Sequence, residues 1–304
     1  MTQLAELTPR RKPACAAFLV DTKAQARDRA GWREFARKVN NFLAPLSAVD
    51  ERAHKVVKNH FHAYLMPKPD FADYLLKTSG DEYYLRAQYK NVVAADKYHL
   101  VLRAPVHVIP NLDGDTLLLF EIFRRLGFPE GSTKFLFLGN YAGDTALSTA
   151  LMNFMLALKI VCPDNVFLLR GRAEIPDGIR PFAKKYWERQ VREWQDIFKW
   201  MPASASIFDQ GAIFCTNHGL GLPYTTKMIE TSLKMTLPQR FDMEQRKVQP
   251  ICRDTMDVAM KNFMKRERVD LVCEAANHLR EACMLASDME RLYLGHNEDP
   301  LLKT

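Results

Sequence analysis

The sequence predicts an α/β fold with a helical segment in front of it. From residue 100 onward, short β-rich runs alternate with helix-periodic runs. Ahead of that point, residues 22 to 98 carry apolar side chains mainly at helical spacing. Several of the β-rich runs also break off into loops bearing glycine and polar residues, the usual place for binding or chemistry in such folds.

Each element can be justified in order. Trp32, Phe35, Ala36, Val39, Phe42 and Leu43 form one apolar stripe, and Val56, Val57, His60, Phe61 and Tyr64 form another. LVLRAPVHVIP is β-rich. TLLLFEIFRRLGF reads as a helix with Leu119, Ile122, Phe123 and Leu126 on one face. KFLFLGN is a strand, LSTALMNFMLALKIV an apolar helix and NVFLLRG another strand. PFAKKYWERQVREWQDIF is a helix with Trp187, Val191, Trp194 and Phe198 as its buried stripe. AIFCTN, DLVCEA and ERLYLG complete the strands. The alternation implies an extended central sheet. Residues 223 to 255 read as a loop-rich insertion, and Met256, Met260 and Met264 as core packing. Two regions follow: residues 1–97, helical and packed on the core, and residues 98–304, the α/β domain.

Composition narrows the function classes. Hydrophobic residues make up 47% and charged residues 26% of 304, which is globular and argues against disorder. Lys and Arg outnumber Asp and Glu by 43 to 36, a net +7 spread along the chain. That permits an acidic partner, an anionic surface or nucleic acid without requiring one. Its most basic stretches, Lys184–Lys185, Arg189, Arg192 and the KRER run at 265–268, lie mostly on helix faces, where charge is usually solvated. Cys15, Cys162, Cys215, Cys252, Cys273 and Cys283 form no CxxC pair, so they read as reduced thiols in an intracellular protein. No apolar stretch is long enough to span a bilayer. The N-terminus has no signal-peptide core, although Arg10, Arg11 and Lys12 leave organelle import open. The expected location is cytoplasmic or nuclear. His54, His60 and His62 cluster in sequence, but lack a further metal ligand, so core and surface roles are expected for them.

Four loops carry the functional reading: PNLDGD (110–115), GNYAGDT (139–145), RGRAE (170–174) and TNHGLG (216–221). With LLLFEIFRRLGFPEGSTKFLFLGNY, LALKIVCPDNVFLLRGRAE and DLVCEA around them, the chain resembles the PPP-type serine/threonine protein phosphatases of the calcineurin-like metallophosphoesterases. The likeness covers roughly residues 98 to 298. It implies a calcineurin-like metallophosphoesterase β-sandwich flanked by helices, here with a helical N-terminal extension. It also implies two divalent metals, such as manganese, iron or zinc, that activate a water and clamp phosphate. The family's motifs are GDxHG, GDxVDRG, RGNHE and HGG, and this chain departs from each.

Carried over residue by residue, the first loop's metal Asp falls at Asn111 and its His at Asp113. The bridging Asp falls at Asn140. The second loop's catalytic Asp and phosphate-binding Arg fall at Gly143 and Asp144. The third loop's metal Asn and general-acid His fall at Arg172 and Ala173. The fourth loop's His falls at Asn217, or at His218 after a one-residue slip, and the last metal His at Ala276. Gly114, Gly139, Arg170, Gly171 and Glu174 remain as the motif frame. Neutral Asn140 cannot bridge two cations, and Arg172 puts a fixed positive charge where a cation would sit. Asp144 repels phosphate, and Ala173 offers the leaving group no proton. No cofactor is expected on this reading. Arg172 with Asp144, or Arg170 with Asp113, is expected to pair as local glue instead.

The resemblance therefore implies a pseudophosphatase: a PPP-like fold that binds protein partners as a scaffold or as a structural subunit of a complex. The chain stops at Thr304, short of the strands that usually close the second sheet, so an incomplete or partner-completed sandwich is expected. One alternative is a phosphatase with a rebuilt site, holding one hard cation on Asp113, Asp144 and His218 with Asp115 and Glu174 nearby. Another is a basic, nucleic-acid-associated structural subunit.

Overall fold

The computed structural model describes residues 29–65, 74–75, 77, 80–94, 96, 99–143, 147–174, 188–208, 212–217, 265, 271–275 and 291–294. Among these residues, three helices come first: α1 (Arg29–Leu46), α2 (Glu51–Leu65) and α3 (Glu82–Val93). Asp50 accepts from the Ala53 N–H at 2.8 Å and Asp81 from the Tyr84 N–H at 3.1 Å, so the first turns of α2 and α3 have acceptors for amides the helix cannot serve. The α/β part then runs β1 (His99–Arg103), β2 (His107–Ile109), α4 (Thr116–Leu126), β3 (Phe135–Phe137), α5 (Ser148–Val161) and β4 (Val166–Leu168). A short turn of 3₁₀ helix at Arg172–Glu174 leads on to α6 (Glu188–Phe198), β5 (Ser204–Phe208), β6 (Ala212–Thr216), β7 (Leu271–Ala275) and β8 (Arg291–Leu294).

The described strands form two sheets, the sandwich the resemblance implied, and not the one extended sheet read from the alternation alone. β2, β3 and β4 lie parallel in that order, connected by α4 and α5. The second sheet runs β1-β5-β6-β7-β8, parallel except for the β5–β6 hairpin. β3 shows how the layers are made. Phe135 and Phe137 turn to the helices, while Leu136 and Leu138 turn to the other sheet, where they meet Leu100, Leu102, Ala205 and Ile207. A strand covered on both faces reads as an unbroken apolar run, as KFLFL does.

α5 explains its own sequence in the same way. It contacts α2 and α3 on one side and β4 on the other. Nearly every side chain on it is buried, so it is apolar all round and shows no clear stripe. The N-terminal helices reach it through aromatic rings. Phe61 of α2 meets Phe120 at 5.2 Å, Phe128 at 5.5 Å and Phe154 at 5.7 Å between centroids. At the rim, Arg86 of α3 pairs with Glu193 of α6 at 2.7 Å and lies over the Trp194 ring, and Lys90 pairs with Asp196.

His60 sits inside this layer, fully buried. Its Nδ1 lies 2.8 Å from the Val56 carbonyl and its Nε2 2.9 Å from the Ala150 carbonyl. A neutral ring has one N–H for these two acceptors. Burial pushes its pKa down to about 4. His54 and His62 are only half-buried, so these three do not share one environment. Cys162 and Cys215 are buried free thiols. Among the described residues no helix is long and apolar enough to cross a membrane. Trp187, the 223–255 segment and Met256, Met260 and Met264 lie outside the described residues.

Candidate functional site

The loops after β2, β3, β4 and β6 converge, and backbone contact holds them together. Leu112 and Asp113 both donate their N–H to the Asn140 carbonyl, at 3.2 and 2.7 Å, and Gly114 donates to Tyr141 O at 2.8 Å. The first and second loops are thereby joined residue against residue. Asp113 and Asn140 hold positive φ values of 44° and 55°, and both types are among the few non-glycine residues that accept that conformation. The approach leaves no room for side chains. A Cβ on Gly143 would lie 1.9 Å from Asp113 O, and one on Gly171 would lie 2.2 Å from Asn140 N.

Glu174 joins the second and third loops. Its Oε2 accepts from Asn140 N and Gly171 N, each at 2.8 Å, and its Oε1 from Tyr141 N at 2.9 Å and Ala142 N at 3.3 Å. Burial pushes this carboxyl up to about 7, while the four N–H groups pull it the other way. Tyr141 adds a second tie, its hydroxyl donating toward Leu169 O at 2.8 Å and lying 3.2 Å from Phe137 O. Ser148 at the start of α5 closes the second loop, accepting from Gly143 N at 3.1 Å and donating to Gly143 O at 2.7 Å.

The amides at the strand ends are occupied as well. Asn140 Oδ1 accepts from Ala173 N at 2.8 Å. Asn217 Nδ2 donates to Asn111 Oδ1 at 2.9 Å, which links the β6 loop to the β2 loop and so one sheet to the other. All three asparagines are buried. Asp115 serves α4, its Oδ1 accepting from Leu118 N at 3.0 Å. Arg170 is buried at the end of β4, its backbone N–H donating to Pro202 O at 2.7 Å.

The structure thus brings together Asn111, Asp113, Gly114, Gly139, Asn140, Gly143, Arg170, Gly171, Ala173, Glu174 and Asn217. Asp144, His218 and Ala276 lie outside the described residues, as does the side chain of Arg172, so the expected Arg172–Asp144 pair falls there too. Sequence reading missed Tyr141 and Ser148. The one available signal was a tyrosine inside an otherwise small and polar loop.

Parallel strands with crossover helices, a second sheet packed behind them and loops meeting at the strand ends define a phosphoesterase-type α/β sandwich. Residues 106–278, more than half of the chain, match the family model for calcineurin-like phosphoesterases. The chain belongs to that family. It is 32% identical over 157 residues to the serine/threonine-protein phosphatase PP1-delta of Caenorhabditis elegans, covering 48% of this chain and 50% of that one. It is 31% identical over 144 residues to a Schizosaccharomyces pombe protein named as a serine/threonine-protein phosphatase, covering 45% and 46%. The chain thus spans about half the length of the curated relatives it matches. A solved structure of a Saccharomyces cerevisiae serine/threonine phosphatase superposes with a TM-score of 0.55 at 14% identity, over 71% of this chain and 78% of that one, a likeness of fold.

Family membership corrects one expectation. The family is a metallophosphoesterase family, so divalent metal is the cofactor class it brings, and the expectation of no cofactor does not stand. Fit is a separate matter. Asn111 and Asn140 already accept hydrogen bonds, Glu174 is turned onto backbone amides, and Asp115 is turned onto α4. Among the described residues no three His, Cys, Asp or Glu side chains are grouped to hold a metal. This described donor set does not fit a carboxylate-bridged pair of divalent ions, so no catalytic step is derived through one.

Proposed function

We propose that this chain is a PPP-like pseudophosphatase, an intracellular protein-binding scaffold or structural subunit that does not carry out the family's phosphoester hydrolysis. One contact supports this above all. Asn140, at the position of the bridging carboxylate, accepts a hydrogen bond from the backbone of Ala173, at the position of the proton-donating imidazole. A neutral, engaged amide and a methyl group stand where the reaction needs a charge and an acid. The Asn111–Asn217 pair supports the same reading, since two more of the carried-over positions bind each other.

The test is phosphate release from a phosphoserine peptide and from p-nitrophenyl phosphate by the full-length chain with excess Mn²⁺. Release at the buffer rate is expected. Release above that rate, abolished by Asp113→Ala, would mean a rebuilt active site and would overturn the reading.

A further inference from the structure

We propose that the outward face of α2, with the first turn of α3 beside it, is a docking site for an acidic segment of a partner protein that also brings one large apolar side chain. Arg52, Lys55 and Lys58 follow one another at three-residue spacing along α2, so they lie side by side on one face of the helix. All three are exposed, while Ala53, Val56, Val57 and Phe61 turn into the core. None of the three has an ion-pair partner among the described residues.

The acids of this corner are engaged within the fold instead. Asp50 accepts from Ala53 N and from the Tyr84 hydroxyl. Asp81 accepts from Tyr84 N, and Glu82 pairs with Arg86 at 3.3 Å. Glu51, exposed in the first turn of α2, is the remaining acid of the two stretches. Those stretches, DERAHKVVK and GDEYYLR, hold four acids and four bases, so their composition alone shows no excess. What they offer to a partner is nonetheless positive, because the acids are the side chains already in use.

Arg52 is prepared for a carboxylate. Its guanidinium lies over the Tyr84 ring, 4.7 Å from the centroid, and Asp50 holds the hydroxyl of that ring. A stacked guanidinium has less freedom to lose when it grips an anion. Val49, 57% exposed, and Tyr83, 77% exposed, adjoin the Asp50–Tyr84 link in the chain. Surface ion pairs are weak one at a time, whereas covered tyrosine and arginine anchors carry much of the energy of protein interfaces. From Arg52 to Lys58 the helix rises about 9 Å, a distance that about three residues of extended chain can span. A short acidic run with an apolar residue toward Val49 and Tyr83 complements this surface. Nucleic acid suits it less, because a single exposed tyrosine at one end offers no row of aromatic faces for bases. The inference names the partner chemistry for the protein-binding role proposed above and rests on that role.

Panning displayed twelve-residue peptides on the full-length chain tests it, with the double variant Arg52→Glu, Lys55→Glu as counter-target. Enriched peptides are expected to carry two or more carboxylates and a large apolar residue. Synthetic copies should bind the wild type about tenfold or more tightly than the double variant, and about threefold or more tightly than Tyr83→Ser. Arg103→Glu with Lys134→Glu makes the same change of net charge at the end of β1 and should leave binding within about twofold. Arg52, Lys55 and Tyr83 are exposed, so folding should survive, and matching urea-unfolding midpoints check it. No enrichment over the counter-target overturns the proposal. So does an equal loss in the β1 control, which would mean attraction to net charge alone. Self-association of the chain that the double variant abolishes would overturn it too, because the face then takes a second copy. A single-stranded oligonucleotide bound more tightly than any enriched peptide, and lost in the double variant, would do the same. Peptides that bind strongly yet ignore all the substitutions would sink this face while leaving a protein-binding role in place. The phosphate-release assay reports on the catalytic half independently.

Discussion

Around α5, side chains make the contacts. Phe61 alone meets five aromatic rings, including Phe42 and Phe123 at 5.9 and 6.0 Å. At the strand ends, backbone makes them, with one carboxylate receiving four amides. The two regions should fail differently. Removing atoms should open a cavity in the first, whereas adding atoms should break the second.

The sharpest test of that contrast is Gly143→Ala. One methyl group placed 1.9 Å from Asp113 O forces the first two loops apart. A loss of about 4 kcal/mol or more is expected, or no folded protein, read by urea unfolding. An effect below about 1 kcal/mol would show that the loops can part without harm. Phe61→Ala comes next, with a loss of about 3–5 kcal/mol from the void it leaves. The same substitution should leave the amide protection of the strand-end loops unchanged in hydrogen exchange, relative to a matched destabilised control.

Each region also buries a group whose pKa lies between about 4 and 7, and these two act in opposite directions. Glu174 is raised to about 7, so its folded form holds a proton that the unfolded chain has released. Its contribution is fully present below about pH 4.5 and is lost as pH rises to about 7. His60 is lowered to about 4, so the unfolded chain holds the extra proton. Its contribution is present above about pH 6.5 and is lost as pH falls to about 4. Between pH 4.5 and 6.5 the two slopes offset each other. Relative to the wild type, stability in His60→Gln should fall as pH rises, and in Glu174→Gln it should rise. Each relative slope should amount to roughly 1.4 kcal/mol per pH unit. Denaturant midpoints across that window read this directly, and parallel curves for all three proteins would remove the contrast.

The smallest effect belongs to the amide link. Asn217→Ala takes a donor from the buried Asn111 and should cost roughly 1–2 kcal/mol by the same unfolding measurement. A cost as large as that of Phe61→Ala would mean that this one hydrogen bond carries far more of the sandwich than its chemistry suggests.

Much of this architecture was legible because it rests on apolar period. The Phe35–Leu43 and Val56–Phe61 stripes, the KFLFL strand and the α4 face all lie where their spacing puts them. β5 was not legible. Ser204 and Ser206 fill its outward positions and meet the two ring nitrogens of His99, each at 2.9 Å, so the strand reads as small and polar. The division into two sheets came from the family resemblance and not from the spacing, since periodicity gives faces and not partners. At the site, the loops and their glycines could be read from the text. The work of Glu174 could not, because three of its four amides come from residues 32 to 34 positions earlier in the chain.

The Asn111–Asn217 bond has a mechanical consequence. The core between the two sheets is apolar, and apolar contact has no preferred direction, so it tolerates small sliding of one sheet across the other. A hydrogen bond weakens steeply once it is bent. Placed where strand ends of both sheets meet, the amide pair works as a dowel: the sheets can rock about it, but shear at that end is stopped. With the Arg170 N–H to Pro202 O bond beside it, this pair of neutral side chains helps set the stiffness of the loop platform between the sheets.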